Sequence, residues 1–169
     1  ATIKRIKPDF IVNAAAYTAV DNAETETKLA DCVNGQACQV MAEEALALGG
    51  WLIHYSTDYV FNGQGSTPWR EADVVGPLNH YGVSKLAGEQ AIIASGCKHL
   101  LFRTSWGYGT RGKNFAKTML RLARKHETLR VVSDQVGAPT GADLIADVTS
   151  LAIRQVQLRP ELAGLYHLA

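Results

Sequence analysis

In the stretch "GPLNHYGVSKLAGEQA", residues 76–91, Tyr81 stands four residues ahead of Lys85. Positions i and i+4 of a helix share a face, so an ammonium can lie close to a phenol there. A neighbouring cation favours phenolate and lowers a tyrosine pKa from its reference of about 10. Lysine also carries three donors, enough to hold the hydroxyls of a ribose at the same time. A phenol tuned in this way passes a proton to a carbonyl oxygen as hydride reaches the carbon. On spacing alone the pair reads more readily as a solvated helix face, so the neighbourhood has to decide.

Upstream, "HYSTDYVF" (54–61) ends a strand in Ser56-Thr57-Asp58. A hydroxyl there can bond a catalytic phenol or a substrate carbonyl; an ordinary turn cluster has the same composition. Three alanines in "VNAAAYTAVD" (12–21) fall where a strand meets a loop, giving either room for a flat ligand or a tightly packed strand end. Trp106, in "RTSWGYG", offers an apolar face for a sugar and an N–H for a hydroxyl, or serves as a core aromatic. Arg103, Arg111 and Lys113 surround the same region, where one of them could neutralise a diphosphate.

The elements that must position these residues alternate. Strands are expected at 9–15, 51–56, 99–105 and 129–133, with a short one at the closing "GLYHLA". Helical patterns cover 25–50 with an interruption near Asn34-Gly35 and a stop at Gly49-Gly50, then 80–95 with Asn79 as N-cap, 114–127 and 142–156. The 114–127 helix carries Phe115, Met119, Leu122 and Ala123 on one face. Near-continuous apolar strands between helices predict an α/β fold, a parallel sheet covered on both sides. Its site belongs beyond the carboxyl ends of the strands, at Ala14–Thr18, Ser56–Asp58, Thr104–Tyr108 and Ser133–Thr140.

The totals exclude several function classes. The 169 residues suit one domain or a domain plus a fragment, and 47% hydrophobic against 20% charged residues argues against disorder. A net charge of +1 gives no basic field for nucleic acid or anionic membrane. No apolar run reaches the roughly 18 residues of a membrane helix, and the start does not look like a signal peptide. Cys32, Cys38 and Cys97 fit no zinc spacing and are expected as buried or partly buried free thiols in a reducing cytoplasm.

Six segments, "VNAAAYTAVDNAE", "YSTDYVFNG", "PLNHYGVSKLAGE", "RTSWGYG", "NFAKTML" and "DQVGAPTGADLIAD", occur in the order and spacing of the dTDP-4-dehydrorhamnose reductase family, which the chain resembles over essentially its whole length. Tyr-x-x-x-Lys is generic to the short-chain dehydrogenase/reductases; "RTSW" with "DQxGxPT" is specific to this extended branch. The resemblance implies a Rossmann-like, doubly wound parallel sheet and NADPH- or NADH-dependent reduction of the 4-keto group of dTDP-4-dehydro-L-rhamnose, a step in making a cell-surface polysaccharide precursor.

It implies Tyr81 as proton donor, Lys85 as the lysine that binds the nicotinamide ribose and tunes the phenol, and Thr57 as third catalytic member. Ala16, Tyr17, Thr18 and Tyr55 match cofactor contacts, together with Tyr81 and Lys85; Thr57, Asp58 and Trp106 match substrate contacts. Residues 1–133 would form a partial dinucleotide domain and 134–169 the start of a substrate-binding region interleaved with the sheet. The partner is a nucleotide sugar, with a homodimer in some relatives. Some of these dimerise through Mg2+, and Asp143 falls near one such carboxylate, although a helix-start carboxylate answering the macrodipole is preferred and no metal is assigned.

The family's glycine-rich phosphate loop is absent, as is the residue that selects NAD or NADP. The resemblance therefore implies the middle of a longer enzyme, inactive in isolation, with 9–15 an exposed apolar edge. The alternatives are another extended nucleotide-sugar epimerase or dehydratase, and a non-catalytic regulatory subunit like that of methionine adenosyltransferase.

Overall fold

The computed structural model describes residues 2–112 and 114–169. Its strands are β1 (Phe10–Asn13), β2 (Trp51–Thr57), β3 (Lys98–Thr104), β4 (Gly107–Tyr108), β5 (Thr140–Gly141) and β6 (Gly164–His167). The helices are α1 (Thr2–Ile6), α2 (Val20–Ala23), α3 (Thr27–Asp31), α4 (Ala37–Leu48), α5 (His80–Ser95), α6 (Phe115–Ala123) and α7 (Ala142–Leu158). The main sheet is parallel throughout, in the order β1-β2-β3-β6, and β4 pairs with β5 in a small second sheet. Among the described residues no helix is long and apolar enough to cross a membrane.

Strand β2 is the centre because both of its faces are covered. Leu52 points into a core with Cys38, Ala42 and Ala45 of α4 and Ile92 of α5. Trp51 and Ile53 point the other way, into a core with Leu100, Phe102 and Val156 of α7. Period-two alternation thus divides one strand between two helical layers. β1 is the edge strand, with Val12 about half exposed (47%).

The interruption expected near Asn34-Gly35 is a single wide π turn, Cys32–Gln36, running without a break from α3 into α4. Such turns bulge one residue outward and recur at functional sites. α4 stops at Gly49, whose φ of 67° is the left-handed cap expected there.

Two expectations fail. Residues 129–133 form no strand, and Val131 and Val132 are exposed. β-branched residues favour a strand only where an edge is open to pair, and β6 occupies the free side of β3. Cys32 is exposed rather than buried, because the π turn carries it outward, while Cys38 and Cys97 are buried free thiols.

α5 lies close against the π turn because Gly88 has no side chain: a Cβ there would collide with the Asn34 carbonyl oxygen and come within 3.2 Å of Cys38 Sγ. Gly88→Ala is expected to cost about 1–3 kcal/mol through forced separation of the two helices. A drop in the urea midpoint with an unchanged m-value is the expected observation; an unchanged midpoint would mean that this contact gives way freely.

Candidate active site

α5 begins with its open N–H groups answered. Asn79 accepts from the Gly82 N–H at 2.8 Å, and the Glu24 carboxylate accepts from the His80 N–H at 2.7 Å. Tyr81 is thereby held in the first turn, its ring edge-on to Tyr59 with centroids 5.6 Å apart. Burial raises the pKa of its phenol, the Thr57 side chain opposes, and Asp58 and Tyr59 add to the rise.

Thr57 closes β2. Its hydroxyl donates to Asp58 Oδ1 at 3.0 Å and accepts from the Tyr59 N–H at 3.2 Å. Ser105, just past β3, donates to Asp58 Oδ2 at 2.6 Å. One carboxylate therefore fixes two buried hydroxyls, brought together by the pairing of Thr57 with Thr104.

Lys85 is buried, and its Nζ donates to the Tyr55 carbonyl at 2.7 Å and lies 3.2 Å from His54 Nε2. Burial lowers its pKa to about 8, with Cys38 and Glu89 opposing. The spacing does place Tyr81 and Lys85 on one helix face, but the expected acidification of the phenol is absent. The Nζ turns to polar partners on β2, Lys85 is not among the groups that shift Tyr81, and the phenol moves up.

The expected cofactor residues divide. The Tyr17 N–H donates to Asn34 Oδ1 at 2.9 Å; Asn34 Nδ2 returns bonds to the Tyr17 carbonyl at 3.1 Å and to Ser84 Oγ at 3.0 Å. Ser84 in turn donates to the Tyr81 carbonyl at 2.8 Å, so Ala16–Thr18 is tied to the helix of Tyr81 and Lys85. The Tyr17 phenol bonds Glu26 at 2.6 Å, which pushes its pKa up to about 12. Tyr55 stands apart: its ring packs on Phe102 and its hydroxyl meets Thr149 at 2.8 Å, on the α7 side of the sheet. Only its carbonyl joins the Lys85 group.

A cleft of about 350 Å³ opens beside Asp58, Tyr59, Asn79 and Trp106, with Asp134 and Val136 on its other wall. Trp106 has a left-handed φ of 44° and is nearly half exposed. Gly137 packs directly on its indole; a Cβ there would lie 2.8 Å from Nε1 and closer still to Cε2. The "DQVGAPT" loop thus seats the tryptophan.

Arg103 does not face the cleft as a free cation. Its Nε and Nη2 donate to the two Glu89 oxygens at 3.0 and 2.7 Å, both side chains are buried, and its guanidinium lies 5.0 Å from the Phe61 ring centroid. Arg111 is exposed, and Lys113 lies outside the described residues. Asp143 is exposed in the first turn of α7, and the described residues contain no group of three His, Cys, Asp or Glu able to hold a metal.

Sequence reasoning missed His54, Asn13, Asn34, Ser105 and the Glu89–Arg103 pair. The pair had a signal: Tyr81, Lys85 and Glu89 repeat at i+4 on the face of α5 turned to the sheet, opposite an arginine inside the apolar strand "HLLFRTS".

Residues 1–169 match the family model described as RmlD substrate binding domain. The chain is 58% identical over 167 residues to the dTDP-4-dehydrorhamnose reductase of Shigella flexneri, a match covering 99% of this chain and 56% of that protein. The crystal structure of dTDP-4-dehydrorhamnose reductase from Bacillus anthracis in complex with NADP superposes with a TM-score of 0.89 at 39% identity, over 99% of this chain and 58% of that one. The reductase from Clostridium acetobutylicum gives a TM-score of 0.93 at 38% identity, over 99% and 58%. The chain thus spans little more than half the length of these relatives.

Gly137→Ala is expected to displace the indole of Trp106 into solvent. Its tryptophan emission, taken as the difference from the matching Trp106→Phe variant, should shift to the red; an unmoved spectrum would show that the loop, not the ring, yields. His54 gives a pH test. Burial and Lys85 hold its pKa down to about 3, against 6.5 when unperturbed. The unfolded chain therefore binds this proton first, so stability present above about pH 6.5 is lost as pH falls toward 3. Urea midpoints taken near pH 7 and pH 5 should fall less in His54→Gln than in the parent. Equal falls would mean that His54 is protonated in the folded chain.

Proposed function

The chain belongs to the RmlD substrate binding domain family, that of the dTDP-4-dehydrorhamnose reductases, and from that premise we infer that it is the catalytic portion of an oxidoreductase reducing the 4-keto group of dTDP-4-dehydro-L-rhamnose with NADPH or NADH. The observation that carries this reading is Tyr81 beside Thr57 at the carboxyl end of β2, with buried Lys85 one turn further along α5 and Asp58 opening onto the Trp106 cleft. The NADP bound to the Bacillus anthracis relative supports a nicotinamide dinucleotide. Neither an epimerase or dehydratase nor a regulatory subunit is favoured beside relatives of this identity.

The residues present suit such a cofactor. Ala14 and Ala15 are exposed just beyond β1, where small side chains admit a flat ring. Lys85 commits one donor to the Tyr55 carbonyl and meets His54 Nε2, which leaves at least one donor for a ribose hydroxyl. Ala16, Tyr17 and Thr18 would line the dinucleotide, with Lys85 on its ribose. Bound there, a nicotinamide would supply hydride to the carbonyl carbon.

Tyr81 supplies the proton. A phenol raised above its ordinary pKa is protonated at neutral pH, which is the state a donor needs. Thr57, fixed by Asp58 and standing beside the phenol, would position Tyr81 at the carbonyl oxygen. Asp58 and Trp106 receive the sugar, the indole lying against its apolar face. Asp134 and Val136 on the far wall support reading 134–169 as the start of the substrate-binding region.

The test replaces the matching stretch of the Shigella flexneri relative with this chain and follows NADPH oxidation. Turnover should depend on dTDP-4-dehydro-L-rhamnose, and Tyr81→Phe should lower it by about 100-fold or more with NADPH affinity unchanged. Full turnover in Tyr81→Phe would assign the proton to another group.

A further inference from the structure

Where β1, β2, α4 and α5 meet, Asn13, Cys38, His54 and Lys85 form a buried polar group. Its hydrogen bonds run in one direction. The Ala15 N–H lies 3.1 Å from the Asn13 side chain; a backbone N–H only donates, so the amide atom it meets is the oxygen. The amide nitrogen then faces His54 Nδ1 at 3.0 Å and Cys38 Sγ at 3.6 Å. An amide nitrogen only donates as well, which makes Nδ1 the acceptor. A neutral imidazole with a bare Nδ1 carries its proton on Nε2. That nitrogen is 3.2 Å from Lys85 Nζ, with Cys38 Sγ further away at 3.7 Å. An ammonium has no lone pair, so it would set two donors face to face; an amine accepts.

We propose that His54 is a positioning residue that holds Lys85 as a neutral amine in the cofactor-free chain, through a relay from the Ala15 N–H through Asn13 and the imidazole to Nζ and on to the Tyr55 carbonyl.

The surroundings agree. Cys38, facing from α4, has its thiol pushed up by burial and is uncharged. Glu89, one turn along α5, already holds the Arg103 guanidinium. Tyr81, one turn back, is a protonated phenol. None of these supplies an unshared negative charge to keep an ammonium buried. Burial lowers the Lys85 pKa to about 8, and the hydrogen bond accepted by the amine supplies the rest of the bias that makes the neutral form prevail at neutral pH. The consequence for chemistry rests on the reading of Lys85 as the ribose-binding lysine: hydroxyl acceptors placed at Nζ favour the ammonium, so dinucleotide binding is coupled to proton uptake there.

The experiment is NMR on the isotope-labelled chain without cofactor. Imidazole 15N shifts should show His54 protonated at Nε2 and bare at Nδ1, and the Lys85 13Cε resonance should titrate with a midpoint below about 7, so that the amine is the main species at neutral pH. In Asn13→Asp the carboxylate accepts from Nδ1, so the tautomer reverses, Nε2 becomes an acceptor and Lys85 keeps its proton. Its midpoint should then rise by about one unit or more, a tenfold or greater gain in proton affinity. Added charge alone would raise the midpoint without reversing the tautomer, and that result would overturn the relay. So would a bare Nε2 in the parent chain, or a Lys85 midpoint at the ordinary lysine value, whether or not the variant folds. Loss of turnover in the Shigella hybrid would leave these readings untouched, so the two inferences fail separately.

Discussion

The site depends on how α5 is fastened to the sheet. A helix packed only through apolar contacts could slide by part of a turn at small cost, but α5 carries two buried polar anchors. Lys85 reaches the Tyr55 carbonyl on β2, and Glu89, one turn on, grips Arg103 on β3 through both oxygens. Leaving either partner of such a buried ion pair alone costs about 3–5 kcal/mol. That is a large fraction of the roughly 5–15 kcal/mol that holds an ordinary domain folded. The anchors lie on adjacent strands and successive helical turns, so they fix the rotation and translation of α5 together. Tyr81, one turn before Lys85, is placed as a result.

The remaining parts are assembled around that helix by single residues that each bridge two elements. Asn34, set in the π turn, joins the Tyr17 backbone to Ser84 on α5. An ordinary α-turn would rotate the residues that follow it, which gives the bulge a positional role. Asp58 joins the ends of β2 and β3 by accepting hydrogen bonds from Thr57 and Ser105. Gly137 brings the 133–140 loop onto Trp106, and the Thr140 N–H approaches the Trp106 carbonyl at 3.4 Å. The strained backbone of Trp106 lies where three constraints converge, which is where such strain is retained.

Much of this was legible in the residues. β2 and β3 are apolar enough to be read as strands covered on both sides, and the 80–95 helix was visible with its Asn79 cap and its Tyr-Lys pair. Motif order gave the residues to inspect. What the residues did not disclose was direction. Helical spacing says that Tyr81 and Lys85 share a face, yet whether Nζ bends toward the phenol or the sheet is decided by acceptors on β2, far away in sequence. The valines at 131 and 132 were misread for a related reason: strand propensity is local, while an available edge is a property of the whole sheet. Arg103 looked like a cleft cation from its placement near Trp106 alone, which says nothing of Glu89, its partner on another element.

Three pKa values at the centre of the site point to one electrostatic design. Tyr81 is moved up, Lys85 and His54 down, and burial is the first cause in each case. All three shifts favour the neutral species. Arg103 and Glu89 are charged, but they cancel within one hydrogen-bonded pair. Burial at α5 thus works against net buried charge, which is expensive to hold in the absence of a ligand. On the reading of Lys85 as the ribose-binding lysine, a protonated phenol and a lysine of lowered pKa are suited to respond to charge that arrives with a ligand. The same desolvation that stabilises the resting site makes every later proton movement in it strongly felt, since interactions between charges strengthen as water is excluded.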